Sequence, residues 1–180
     1  MRIIGGIWRG RPLKTPKNQD IRPTTDKVRQ AIFNALFSRS AVEGVNVLDA
    51  FCGTGALGIE ALSHGAEHVA FSDLSKISLG LAKENVLNLR GEGQVSFRLG
   101  DISKIHKRSE VEQPFDLVFL DPPYRKDLVK ISLESLTAAD WLAKDSWIVI
   151  EAEKDADLSF AGTPDFDKTY GDTRVVFIQK

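Results

Sequence analysis

The stretch VNVLDAFCGTGALG, residues 45–58, decides the fold of this 180-residue chain. Residues 45–50 are mostly apolar, which is typical of a buried strand, and a short apolar helix is predicted over residues 56–63. Between them Gly53, Gly55 and Gly58 satisfy the pattern G-x-G-x-x-G. A strand, a glycine turn and a helix in this order form the first unit of a doubly wound α/β sheet with a cofactor at the turn.

Outward from this unit, strand and helix patterns alternate along the chain. Further strands are predicted at residues 69–72, 95–99, 115–120, 147–150 and 173–178, the last being one of two closing strands, and further helices at residues 75–89 and around 129–136. This alternation predicts a mainly parallel sheet with helices on both faces. Such sheets bind their ligands beyond the carboxyl ends of the strands, so the loops after the strands are the segments to inspect.

Three of the predicted strands end in an aspartate: Asp49, Asp73 and Asp101. Asp49 precedes the glycines, where a carboxylate would repel the diphosphate of NAD but would attract the cationic amino group of a methionine. Asp73 is placed to bind ribose hydroxyls, and Asp101 to accept from an adenine amino group. Together the three aspartates favour S-adenosylmethionine over NAD as the cofactor. The remaining alternative is that the glycines serve only a tight turn and bind no cofactor. The predicted cofactor site comprises Asp49, Phe51, Gly53, Gly55, Asp73, Leu74, Asp101 and Ile102.

The predicted fourth strand ends in Asp121-Pro122-Pro123-Tyr124. The prolines lack N–H groups and stiffen the backbone, which leaves carbonyls as acceptors. Asp121 and the Pro122 carbonyl could accept both hydrogens of a planar amino group and so localise its lone pair, while Tyr124 stacks on the ring. These residues predict methylation of an exocyclic amine by direct displacement, with Asp121, Pro122 and Tyr124 as the catalytic residues. An ordinary proline-rich turn is the alternative.

Charge is distributed unevenly along the chain. Residues 1–39 hold nine basic and two acidic side chains, whereas the whole chain has a net charge of −1. This basic end is either solvated surface or the footprint of a polyanion. It is predicted to form a β-hairpin around Trp8 followed by a helix that begins near Thr25. The chain is accordingly divided into a basic extension, residues 1–39, and a methyltransferase domain, residues 40–180.

Other classes of site are disfavoured. Cys52 is the single cysteine, so no intramolecular disulfide forms, and we expect a small buried side chain there rather than a nucleophile. The three histidines show no metal-ligand spacing, and we expect no metal. No apolar run is long enough for a signal peptide or a membrane span, which favours a soluble, cytoplasmic protein. A monomer is the default expectation.

Two N-terminal blocks narrow the assignment further. They are MRIIGGIWRGR at residues 1–11 and RPTTDKVR at residues 22–29, the latter followed by Phe33-Asn34. With the glycine loop and the Asp-Pro-Pro-Tyr loop, they resemble the bacterial 16S ribosomal RNA guanine-N2 methyltransferases of the RsmD type, which are Rossmann-like class I methyltransferases. The similarity covers nearly the whole chain. The sequence departs from the family pattern at Cys52, where alanine is usual, at Gln30, where glutamate is frequent, and at Asp73, where glutamate is common.

The resemblance implies a seven-stranded sheet with an antiparallel last strand and an RNA-binding β-hairpin. It implies that the substrate is one guanine of small-subunit ribosomal RNA, either free or in the assembling 30S particle. By the same resemblance the substrate would be bound by Arg2, Arg9, Arg11, Arg22, Thr24, Thr25 and Pro123, with Lys14 as a further phosphate contact. Thr24 and Thr25 also fit the capped start of a helix.

Other functions stay open from the sequence alone. The Asp-Pro-Pro-Tyr loop binds only the amino group of a base, so it does not distinguish guanine from adenine. An enzyme that methylates the amino group of DNA adenine or cytosine is therefore an alternative. A protein glutamine amide is another substrate of this chemistry, although such enzymes usually begin the loop with asparagine. A non-catalytic RNA-binding protein is the third reading, and the acidic residues kept at four strand ends argue against it.

Overall fold

The computed structural model describes residues 1–16, 24–123 and 127–180. The helices are α1 (Asp26–Phe37), α2 (Ala56–Ser63), α3 (Lys76–Leu89) and α4 (Leu128–Ala138). The strands are β1 (Asn46–Asp49), β2 (His68–Asp73), β3 (Val95–Leu99), β4 (Phe115–Leu120), β5 (Leu142–Glu153), β6 (Phe166–Tyr170) and β7 (Thr173–Gln179). Each predicted strand and helix is present, and most bounds agree to within one or two residues; β5 extends well beyond its predicted core.

The described strands form one seven-stranded sheet in the order β3-β2-β1-β4-β5-β7-β6. Strands β1 to β5 pair in parallel, whereas β7 pairs antiparallel with both β5 and β6. The predicted mostly parallel, Rossmann-like sheet with an antiparallel last strand is therefore confirmed. The strand order reverses between β1 and β4, and this is the point at which such a sheet binds its ligand.

Helices cover both faces of the sheet, as predicted. Alternate residues of the central strands point to opposite faces, so Val47 and Phe119 belong to one core while Leu48 and Val118 belong to the other. The first core lies under α1, α2 and α3, and the second lies under α4. With both faces covered, the carboxyl edge is where the loops after the parallel strands meet.

The N-terminal segment, residues 1–16, is a looser hairpin than expected. Its arms run antiparallel, with hydrogen bonds from Ile3 N to Arg11 O of 2.9 Å and from Leu13 N to Met1 O of 3.0 Å. The predicted β-ladder is reduced to a single bridge between Arg2 and Pro12, and residues Gly6–Trp8 form a turn of 3-10 helix. Pro12 has no N–H to extend the ladder, and Gly6 has a positive φ of 72° that strands do not adopt.

This N-terminal segment is packed onto α2. Glu60 accepts hydrogen bonds from Ile4 N at 3.1 Å and Gly5 N at 2.7 Å, and Ser63 Oγ accepts from Trp8 N at 3.0 Å. The side chains of two residues in the segment, Ile3 and Leu13, are buried in the same core as those of α1 and α2. The boundary predicted at residue 39 therefore separates the chain by charge, while the core is continuous across it.

Among the helices that the structure describes, none has both the length and the apolar composition that crossing a bilayer requires.

Candidate active site

The glycine loop joins β1 to α2 at the carboxyl edge of the sheet. Gly58 packs so closely on β2 that a β-carbon there would overlap the ring of Phe71. A β-carbon at Gly53, in contrast, would meet nothing within 4 Å. Gly58 therefore allows α2 to pack closely against β2. At Gly53, in contrast, the backbone is accessible and a ligand can lie against it.

Asp73 connects the end of β2 to this loop. Its Oδ2 accepts a hydrogen bond from Gly53 N at 3.0 Å, and its Oδ1 accepts from Ser75 N at 2.7 Å. Each carboxylate oxygen retains a second lone pair that can accept from a hydroxyl. The neighbouring Leu74 is 66% exposed, an apolar surface beside a polar anchor. The structure thus brings these two predicted cofactor residues together next to Gly53.

Asp49 is the buried acid of the site, with 2% of its surface exposed. Its Oδ2 accepts a hydrogen bond from Gly58 N at 2.9 Å, at the first turn of α2. Burial, with a smaller contribution from the nearby carboxylates of Asp121 and Asp73, raises the pKa of Asp49 to about 7 against the lowering effect of the Gly58 hydrogen bond. A cation bound beside Asp49 would reverse this effect and favour its charged form.

Asp101 follows β3 and is fixed by Ser103. Its Oδ1 accepts from Ser103 N at 3.0 Å and from Ser103 Oγ at 2.6 Å, and these hydrogen bonds lower the pKa of Asp101. The following Ile102 is 3% exposed and belongs to the core under α4. Phe51 is half-buried and packs against the same core. Ile102 therefore has little surface left for a ligand.

Cys52 is buried within the glycine loop. Its backbone N donates to Ser72 O at 2.9 Å, and its side chain belongs to the core under α1 to α3. Burial, followed by the charges of Asp49 and Asp73, raises the pKa of the thiol. A thiol that stays protonated is a poor nucleophile, which supports the prediction of a structural role.

Asp121 stands at the tip of β4, one strand away from Asp49. Burial raises its pKa to about 6, against the lowering effect of a hydrogen bond from Thr24 Oγ1 at 3.3 Å to Oδ2. Its Oδ1 and the carbonyl of Pro122 accept no hydrogen bond from the described residues. Pro122 is buried and Pro123 is exposed. The predicted pair of acceptors is therefore available, while Tyr124 lies outside the described residues.

Glu151 is a member of this site that the sequence interpretation did not single out. It lies in β5 directly after Ile150, which pairs with Leu120, so it sits beside Asp121. Thr24 Oγ1 lies 3.1 Å from Glu151 Oε1 and 3.2 Å from Oε2. Burial raises the pKa of Glu151 well above its usual range, and the charge of Asp121 raises it further. A single acidic residue after the apolar run 147–150 was the signal in the sequence.

Arg29 holds Thr24 in place from α1. It is fully buried and donates to Thr24 O at 2.9 Å, to Arg2 O at 2.6 Å and to Asp26 Oδ1 at 2.9 Å. It therefore links the N-terminal segment to the start of α1 and is inaccessible to a polyanion. Thr25 caps α1, with its Oγ1 accepting from Val28 N at 3.3 Å. Thr24 faces Asp121, whereas the position of Thr25 is explained by its capping role.

The remaining predicted substrate residues lie on the surface or outside the described residues. Arg2, Arg9 and Arg11 are exposed, Arg2 near Asp26 and Arg11 donating to Asn88 O at 2.8 Å. Arg9 has no ion pair or hydrogen bond through its side chain within the described part of the chain. Lys14 pairs with Glu84. Arg22 falls in residues 17–23 and is not described.

Over residues 1–16, 24–123 and 127–180, no group of three or more histidine, cysteine, aspartate or glutamate side chains has an arrangement that could hold a metal ion.

Comparison with known proteins agrees with this geometry. The family model described as "Conserved hypothetical protein 95" matches residues 1–179. The chain is 36% identical over 159 residues to the ribosomal RNA small subunit methyltransferase D of Haemophilus influenzae, covering 88% of this chain and 81% of that protein. It is 35% identical over 153 residues to the protein of the same name from Escherichia coli, covering 85% and 75%.

The solved structure of the Escherichia coli protein yhhF has a TM-score of 0.86 to this chain at 31% identity, and the match covers 100% of this chain and 97% of that one. The likeness thus extends over the N-terminal segment as well as the sheet. These matches confirm the resemblance seen in the sequence: the chain belongs to the conserved hypothetical protein 95 family, the family of the ribosomal RNA small subunit methyltransferase D proteins.

Proposed function

We propose that this protein is an S-adenosylmethionine-dependent methyltransferase that methylates the exocyclic N2 amino group of one guanine in small-subunit ribosomal RNA. The observation that carries the proposal is the position of Asp121. It lies at the strand-order reversal, next to Asp49 and the open glycine loop, with Oδ1 and the Pro122 carbonyl free of donors among the described residues. Membership of the ribosomal RNA methyltransferase family supports the substrate class.

The residues along the carboxyl edge fit the cofactor. Asp49 is a buried carboxyl that needs a cation, which the amino group of the methionine part would supply. Asp73 has acceptor capacity for ribose hydroxyls beside the open backbone of Gly53. Asp101 is an ionised acceptor for an amino group, and the exposed surface of Leu74 can pack on an aromatic ring. The Asp49 site suits a cation and disfavours a diphosphate, which argues against NAD.

When bound, S-adenosylmethionine supplies an electrophilic methyl group on a sulfonium. The residues of the chain act on the amine: Asp121 Oδ1 and the Pro122 carbonyl accept its two hydrogens and aim its lone pair. The nitrogen must also lose a proton as it gains a methyl group. Asp121, whose pKa burial raises to about 6, is suited to accept that proton near neutral pH. Tyr124 is assigned to stacking on the base, and Pro123 to the entrance.

The RNA is proposed to lie along the N-terminal segment. Arg2, Arg9 and Arg11 are exposed there and would contact phosphates, which position a substrate without reading its sequence. Thr24 continues this surface to Asp121. Arg22 is proposed as a further contact on the strength of the family resemblance. The substrate would then be positioned by the basic end of the chain and modified at the tip of β4.

Transfer of a labelled methyl group tests the proposal. Wild-type protein is incubated with undermethylated small subunits, naked ribosomal RNA and DNA, and the labelled nucleoside is identified. We expect N2-methylguanine from the ribosomal substrates, and a loss of about a hundredfold or more in rate for Asp121→Asn. Stabilisation of that variant by S-adenosylhomocysteine should be retained. Label on adenine, on cytosine or on protein, or a fully active Asp121→Asn, would contradict the assignment.

A further inference from the structure

One hydroxyl group lies between two carboxyl groups in the active site. Thr24 Oγ1 is 3.3 Å from Asp121 Oδ2 and 3.1 Å from Glu151 Oε1. A threonine hydroxyl has a single hydrogen to donate, although it can accept through its lone pairs. If both carboxyls were ionised, one of these two contacts would join two acceptors without a hydrogen. Both contacts can be hydrogen bonds only when one of the two carboxyls carries a proton and donates it to Thr24 Oγ1.

The surroundings of the two carboxyls favour Glu151 as the one that carries this proton. It is 4% exposed, and it forms no salt bridge with the described cations. The charged groups that face it are Asp121 from β4, Asp49 from β1 and Arg29 from α1. Arg29 is engaged with Thr24 O, Arg2 O and Asp26 instead. Burial therefore keeps the pKa of Glu151 well above its usual range, whereas it raises that of Asp121 only to about 6, and Asp121 is assigned the accepting role.

We propose that Glu151 is a positioning residue for methyl transfer: its carboxylic acid donates to Thr24 Oγ1, and the Thr24 hydroxyl in turn donates to Asp121 Oδ2. The inference rests on the proposed function. These two hydrogen bonds hold the Asp121 carboxylate through its Oδ2 and leave Oδ1 free to accept from the amine of the substrate. Glu151 itself does not touch the substrate. Its effect reaches the reaction only through Thr24 and Asp121.

A fixed direction of donation has a consequence for pH dependence. When Glu151 loses its proton at alkaline pH, the one hydrogen of Thr24 is shared between two carboxylates, and Asp121 loses its fixed partner. The wild-type rate should therefore fall on the alkaline side as Glu151 ionises. A glutamine at position 151 still donates to Thr24 but cannot ionise. It should keep the network intact over the whole range.

The test compares Glu151→Gln and Glu151→Ala with the wild type over about pH 6 to pH 9, using undermethylated small subunits at saturating concentration. Glu151→Gln should keep at least about a third of the neutral rate and lose the alkaline decline, whereas Glu151→Ala should lose about tenfold or more. Thr24→Val should behave like Glu151→Ala. Glu153→Gln is the matched control, since Glu153 is exposed two residues along the same strand, and its profile should equal that of the wild type.

Several outcomes would overturn the inference. They are full activity of Glu151→Ala, an equal loss in Glu151→Gln and Glu151→Ala, or an alkaline decline that persists in Glu151→Gln. The wild-type arm separates this failure from that of the proposed function, because a wild type that modifies no guanine refutes the function itself. A carboxyl carbon NMR titration of Glu151 and Asp121 gives a readout without activity: Glu151 should titrate above Asp121, and the reverse order would refute the network.

Discussion

At the scale of the residue, the site is a row of acids on five neighbouring strands. Asp101 follows β3, Asp73 ends β2, Asp49 ends β1, Asp121 follows β4 and Glu151 lies in β5, in the spatial order of the sheet. Their environments differ. Hydrogen bonds lower the pKa of Asp101, whereas burial raises that of Asp49, Asp121 and Glu151. The same residue type therefore serves as a charged anchor at one end of the row and as a proton-carrying group at the other.

The variant Asp49→Asn should gain stability and lose the cofactor. The pKa of Asp49 is about 7 in the folded protein and near 4 in an unfolded chain, so its stabilising contribution is complete at low pH and is lost as pH rises through 7. The free energy of unfolding of Asp49→Asn, relative to wild type, should grow by about 2 kcal/mol between about pH 5.5 and pH 8. Urea denaturation at both pH values measures it.

The same variant should no longer be stabilised by S-adenosylhomocysteine, because an amide does not attract a cationic amino group. Wild-type protein at about a hundred times the dissociation constant gains about 2.7 kcal/mol. Asp155→Asn serves as the control for a change of charge, because Asp155 is exposed and lies in the turn after β5, outside the proposed cofactor site. If the stability difference were the same at both pH values, the buried, protonated state of Asp49 would be refuted.

Four of these five acids could be predicted from the sequence, because each follows the last apolar residue of a strand. Glu151 also follows an apolar run, residues 147–150, but that position alone did not single it out, since its importance depends on a contact with Thr24, which is distant in the chain. For the same reason the buried role of Arg29 was hidden among the basic residues of the N-terminal end. Local patterns locate strand ends, whereas contacts across the core decide what a side chain does there.

At the scale of the element, the N-terminal segment combines a structural and a binding role. The sequence predicted a hairpin from its alternating residues, and the antiparallel arms are present. Its irregular turn could not be predicted, because the turn is shaped by contacts to α2. Glu60 and Ser63 bind the backbone of Ile4, Gly5 and Trp8, and these partners are more than fifty residues away in the chain.

Two glycines of this segment should respond differently to alanine. Gly6 and Gly10 both have positive φ, 72° and 83°, which alanine adopts at a cost of about 1–2 kcal/mol. A β-carbon at Gly6 would also overlap the carbonyl of Ser63, whereas one at Gly10 would meet nothing within 4 Å. Gly10→Ala should lower Tm by about 2–6 °C, and Gly6→Ala by at least twice as much. Equal shifts in thermal denaturation would refute the docking of the segment on α2.

At the scale of the whole molecule, the buried carboxyls should make stability fall with pH. Asp49, Asp121 and Glu151 have raised folded pKa values, so the stability they contribute is complete below about pH 4. It is lost as pH rises through about 7 for Asp49 and about 6 for Asp121. Acids with a lowered pKa, such as Glu112 at about 2, change their protonation state only below about pH 5. They therefore do not alter the difference in stability between about pH 5.5 and about pH 8. Tm should be several degrees lower at about pH 8 than at about pH 5.5. An unchanged Tm would contradict the shifts.

The uneven distribution of charge predicts where RNA binds. Arg9→Glu should weaken binding of small-subunit RNA and reduce the slope of log K against log salt by about one or more. Lys107→Glu is the matched control, because Lys107 is exposed and lies outside the N-terminal segment, next to His106, whose carbonyl accepts from Trp141. Filter binding at several salt concentrations measures both. An equal effect of the two substitutions would show that net charge, rather than the N-terminal surface, governs binding.

The hydroxyl of Thr24 meets Glu151 across 127 positions of the chain. During synthesis on a ribosome, Thr24 emerges long before Glu151. The strand that carries Glu151 pairs on its far side with β7, which is translated after it. A growing polypeptide thus has no complete centre until β5 has left the ribosome, and the capacity to modify RNA cannot arise before then.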